Sequence, residues 1–184
     1  MSDNVQKCSV CNEELTDYGN KTLKDGVLCR NCVKLASQWL EDDDYAKKSV
    51  KDIKKHLKNR EMNLEKLKNF KQSRKVDGKY SLYIDDDNKQ FVISKRKDIV
   101  KDNADVLPMD EIEEMGIYEQ QYLKEDGVDI FFEAKLNDPD LSRVYFRVNE
   151  FPGINQTTDE YKQASENALK IMEELMGSDF EEVE

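Results

Sequence analysis

The sequence predicts an α+β chain. Two Cys-x-x-Cys pairs stand near its start with helical periodicity after them, the period turns from helical to alternating after Lys75, and an amphipathic segment with start and stop signals closes the chain. The expected order is a small metal-binding module over 1–45, a long amphipathic basic connecting helix over 46–75, and an antiparallel β-domain with a C-terminal helix and acidic tail over 76–184.

The first element rests on sulfur. Cys8-Ser9-Val10-Cys11 and Cys29-Arg30-Asn31-Cys32 are separated by 17 residues and contain every cysteine in the chain. Two residues between cysteines let a tight turn aim both sulfurs at one point, and Asn12 follows the first pair where a left-handed residue serves such a turn. Four thiolates suit tetrahedral Zn²⁺ and leave no place for water or substrate, so Cys8, Cys11, Cys29 and Cys32 are the expected ligands of a structural zinc ion. Two disulfides, a redox-active pair and a rubredoxin-like iron site are the alternatives. The first needs an oxidising compartment, the second only one Cys-x-x-Cys. Gly19-Asn20 and Asp25-Gly26 mark turns, so the connection is little more than a hairpin. Knuckle, hairpin, and second knuckle at a helix start make a treble-clef-like arrangement. A segment this short buries too little apolar surface alone, so the metal supplies most of its folding free energy.

Val33, Ala36, Trp39 and Leu40 suit one face of a helix that Glu41-Asp42-Asp43-Asp44 would end. From Lys47 to about Lys71 there is no Gly or Pro, and Val50, Ile53, Leu57, Leu64 and Leu67 recur at spacings of three and four. Arg60 interrupts the stripe, which favours a helix packed on its own neighbours over a dimer or partner-binding helix. His56, the only histidine, is expected at the surface beside Lys55 and Lys58. The basic segment 47–75 could track a phosphate backbone, with Trp39, Tyr45 or Phe70 for stacking, or lie against the acidic second half.

Strands follow. Tyr80 to Ile84 and Lys89 to Ser94 read as a β-hairpin around Asp85-Asp86-Asp87-Asn88, a solvated tip lacking the spaced ligands of a calcium loop. Val128, Ile130, Phe132, Ala134 and Leu136 alternate inward on one strand. Asn137 to Asp140 supply the turn, and Val144, Phe146 and Val148 face inward on its partner. Glu111 to Tyr122 is a further strand that Gly116 interrupts. In the closing helix, Thr157 and Glu160 suggest a capping box, Tyr161, Ala164, Ala168, Ile171, Met172 and Leu175 form the stripe, and Gly177 is the stop.

Charge divides the chain. Residues 1–75 sum to +5 and residues 76–184 to −16, within a net charge of −11 that becomes −13 with four thiolates and one Zn²⁺. An acidic second half repels polyanions and suits protein or cationic partners. No stretch approaches the ~20 apolar residues of a membrane span, and the first residues lack the apolar run of a signal peptide, so a cytoplasmic protein is expected. No Gly-rich phosphate loop or convincing catalytic set is present.

The run Cys8 to Cys11, Gly19 to Gly26 and Cys29 to Cys32 resembles domain-of-unknown-function family 4428, a small treble-clef-like Cys₄ zinc module of bacteria and their mobile elements. The resemblance covers roughly the first 45 residues and includes all four cysteines. Asn137-Asp138-Pro139 with Val144 to Asn149 is similar to the small β-rich domain that often accompanies that module. This likeness implies a pleckstrin-homology-like barrel acting as a binding scaffold. The expected function is therefore a non-enzymatic, zinc-stabilised adaptor that binds another protein. The alternatives are a nucleic-acid-associated zinc protein gripping phosphates with 47–75, and an enzyme whose site forms only in three dimensions.

Overall fold

The change of period after Lys75 separates two architectures in the computed structural model, which describes residues 6–121 and 127–177. The chain forms two units, Met1–Lys68 and Asn69–Glu184.

In the first unit, strands β1 (Lys21–Thr22) and β2 (Val27–Leu28) pair antiparallel, and helices α1 (Arg30–Leu35), α2 (Asp42–Lys47) and α3 (Val50–Asn69) follow. The single helix expected from Val33 to Leu40 is corrected: α1 ends at Leu35, and Ala36 is extended. In a continued helix the Ser37 N–H would donate to Val33, but it donates instead to His56 Nε2 at 3.0 Å. The acidic run starts a helix rather than ending one. Glu41 caps α2 reciprocally with Asp44, and carboxylates are favoured beside the orphan N–H groups of a first helical turn. Ser49 caps α3 in the same way with Asp52. The buried line of α3 is Ile53, His56, Arg60, Asn63 and Leu67, so the polar residues continue the stripe instead of breaking it, while Leu64 is exposed.

The second unit contains two antiparallel sheets. One orders β3 (Arg74–Val76), β4 (Ser81–Asp85), β5 (Gln90–Ser94) and β6 (Leu107–Pro108); the other orders β7 (Ile112–Gln121), β8 (Val128–Leu136) and β9 (Arg143–Arg147). Among the described residues neither sheet closes on itself. The alternation read from β8 and β9 holds: Phe132 pairs with Phe146 and Ala134 with Val144, all buried. Gly116 does not interrupt β7; it pairs with Glu133, and its missing Cβ leaves room for the Tyr118 hydroxyl, which would lie 2.6 Å from one.

The acidic hairpin tip is corrected in part. Asp85 is the last residue of β4 and fully buried, accepting from the N–H of Lys71 at 2.8 Å and from Asn88 at 3.1 and 2.8 Å. A carboxylate that gathers donors organises a turn rather than waiting for a cation. Helix α4 (Asp159–Met176) buries Ala164, Ala168, Ile171 and Leu175, and Gly177 ends it at φ 71°. Its cap is Thr158, whose hydroxyl accepts from Tyr161 N–H, in place of the expected Thr157 box. The expected acidic tail lies outside the described residues. No helix among them is long and apolar enough to cross a membrane.

Candidate metal centre

The two Cys-x-x-Cys turns bring Cys8, Cys11, Cys29 and Cys32 together, with every sulfur within 4.8 Å of the others. The first turn closes through Asn12 N–H to Cys8 O at 3.0 Å and Cys8 N–H to Glu13 O at 2.8 Å, with Asn12 left-handed at φ 64°. The second places Cys29 as the cap of α1, its sulfur accepting from Cys32 N–H at 3.5 Å. The hairpin holds the turns in register: Ser9 N–H donates to Val27 O at 2.8 Å, and Val27 N–H donates to Ser9 Oγ at 3.0 Å.

The geometry fits a tetrahedral ion. With metal–sulfur distances of about 2.3 Å, the edges of an S₄ tetrahedron are about 3.8 Å. Cys8–Cys32 and Cys11–Cys29 are separated by 4.0 and 3.6 Å. A disulfide would require about 2.05 Å, and all four cysteines are free. Backbone N–H groups of Val10 and Cys29 point at Cys8 Sγ at 3.4 and 3.3 Å. Burial pushes the Cys8 thiol up, yet the N–H groups of Cys11, Cys29 and Val10 outweigh it and hold it at about 6. Burial and the neighbouring sulfurs push Cys32 upward. Sulfurs packed this closely resist ionising together, and a divalent cation removes that conflict.

Three of the sulfurs are buried and Cys11 is exposed. Leu23, Leu28, Ala36, Tyr45 and Ile53 pack around the buried three, with Val50 and Leu57 against the cluster. The start of α3 is therefore part of the shell around the sulfurs. His56 is 2% exposed, which overturns the surface position expected for it. Arg60 Nε donates to Leu35 O at 3.4 Å, satisfying a carbonyl at the end of α1. Residue spacing carries no signal of this clamp, because a polar residue among lysines reads as surface. Trp39 and Tyr45 are buried at 6% and 2%, so neither offers the stacking face that the phosphate-tracking alternative would use.

This part is a four-cysteine cluster capable of coordinating a metal, set in a small shell of strands and helices and consistent with a metal-binding module. Residues 6–56 match the family described as "Domain of unknown function (DUF4428)", and the match runs past the cysteines to His56. No curated protein and no solved structure matches the chain.

Proposed function

We propose that the chain is a non-enzymatic, cytoplasmic adaptor in which one Zn²⁺ held by Cys8, Cys11, Cys29 and Cys32 braces a treble-clef-like module while the protein binds another protein. The observation that carries this reading is the sulfur set itself. Four thiolate donors at tetrahedral spacing, three of them buried, fill the coordination sphere of zinc and leave the ion a structural role. Zinc, when bound, supplies charge neutralisation and cross-linking. The β-rich unit, taken as a pleckstrin-homology-like scaffold, and its charge of −16 over 76–184 favour a protein partner with cationic character over a polyanion.

A nucleic-acid reading has one observation in its favour: Lys51, Lys54, Lys55, Lys58, Lys66 and Lys68 are exposed along α3, away from its buried line. Affinity capture separates the two. Intact zinc-loaded protein should retain a protein partner that resists nuclease and that metal-stripped protein recovers poorly. Recovery of nucleic acid alone, with gel-shift binding that weakens steeply with salt, would establish the second reading instead.

A further inference from the structure

Opposite charges face one small cavity beside the first half of α4 without meeting. The cavity, of about 250 Å³, lies where the turn between β3 and β4, the segment after β9 and one side of α4 converge. On the helix, Glu160, Gln163, Ala164 and Asn167 line it, a spacing that sets side chains on one face. Gly78 and Lys79 form the second wall, and Val148, Asn149 and Glu150 form the third.

The fold fixes all three walls. Asn167 Nδ2 donates to Asp77 O at 2.7 Å and ties the turn to the helix. Gly78 permits that approach, since a Cβ there would stand 2.8 Å from Asn167 Oδ1. Asn149 is 1% exposed; its Oδ1 accepts from Ile130 N–H at 2.8 Å, and its Nδ2 donates to Asp129 at 2.9 Å. Arg147 donates to the next carbonyl, Glu150 O, at 3.4 Å.

The charges on these walls do not neutralise one another. Lys79 is half-buried, and its Nζ donates to Asn149 O at 3.1 Å; among the described residues it pairs with neither Glu150 nor Glu160. Burial, and after it the Arg147 charge, hold this ammonium below its ordinary range while Glu150 opposes them, so a carboxylate arriving beside it is favoured. Glu150 and Glu160 are exposed carboxylates, and Gln163 adds an amide that can donate and accept. Among the described residues no aromatic ring lines the cavity to cage a quaternary ammonium, and no arginine lines it to clasp a phosphate with two parallel bonds. Its volume lies below the ~300–1,000 Å³ of pockets for drug-sized ligands.

We infer that this cavity binds a small free α-amino acid as its zwitterion, the carboxylate held by Lys79 and Gln163 and the primary ammonium by Glu150, Glu160 and Asn167 Oδ1. Val148 and Ala164 border a short side chain. The site is separate from the protein-binding reading above and stands or falls without it.

The test follows amide NMR spectra of the zinc-loaded full chain during titration with glycine, L-alanine or L-serine. Saturable shifts are expected at Gly78, Lys79, Glu150 and the Asn167 side-chain amide. N-acetyl-L-alanine, which lacks the ammonium, and L-alaninamide, which lacks the carboxylate, should each bind about ten-fold or more weakly than L-alanine. Lys79→Met, which keeps the stem without the charge, and the double variant Glu150→Gln/Glu160→Gln should each weaken L-alanine to a similar extent. No saturable shift with any of the three amino acids, equal binding of either analogue, shifts confined to residues away from the cavity, or unchanged affinity in folded Lys79→Met overturns the assignment. The analogue comparison uses the unaltered chain, so it decides the matter even where a variant fails to fold.

Discussion

Ser37 donates its backbone N–H to Nε2 of the buried His56, and that single bond turns the chain out of α1 and ties it to α3. His56→Leu keeps much of the volume and removes the acceptor. Leaving a buried N–H unsatisfied should lower stability by about 1–3 kcal/mol in urea unfolding, with metal stoichiometry unchanged at one ion per chain.

Metal removal should act on the first unit. Chelation is expected to abolish amide-proton protection over residues 8–40, with β8 as the internal reference, because the core there is built around sulfur. Unchanged protection would show that hydrophobic packing suffices without an ion. Cys32→Ser should reproduce the chelated state by removing a buried ligand.

Acid should loosen the β3–β4 hairpin. Arg74 grips Asp86 through two hydrogen bonds, at 2.7 and 2.9 Å, and with Ser73 holds the Asp86 carboxyl at about 2 against an ordinary 3.8. The pairing therefore stabilises the fold above about pH 4 and is lost as pH falls toward 2. Carboxyl carbon titration by NMR should show Asp86 low in the wild type and raised in Arg74→Gln, though still below its ordinary value while Ser73 donates to it.

The cap of α4 distinguishes adjacent threonines. Thr158→Ala should cost about 1 kcal/mol by freeing the Tyr161 N–H, while Thr157→Ala, whose hydroxyl only donates to Asn155 Oδ1, should cost less. Thermal unfolding of the two variants decides the register of the helix start.

Much of this molecule could be read from residue spacing. The sulfur set, the Asn12 turn, the β8–β9 alternation and the Gly177 stop each depend on local chemistry that a few neighbouring residues dictate. The failures share a different cause. Ser37 leaves helical geometry because of a histidine 19 positions away, and Asp85 is buried because a backbone N–H at Lys71 reaches it. Such partners are chosen by tertiary contact, which periodicity does not encode. Arg60 misled for the same reason: its fork finds a carbonyl on another helix, so a charge within an apolar stripe signalled a cross-link and not a break.

The uneven burial of the sulfurs gives a bound ion a single doorway. Alkylating agents and competing chelators meet Cys11 before the other three, so exchange should begin with that thiolate letting go while the remaining ligands still hold. The first knuckle would then open ahead of the second, and the lifetime of the ion would follow the chemistry at one solvent-facing sulfur instead of the unfolding of the whole module.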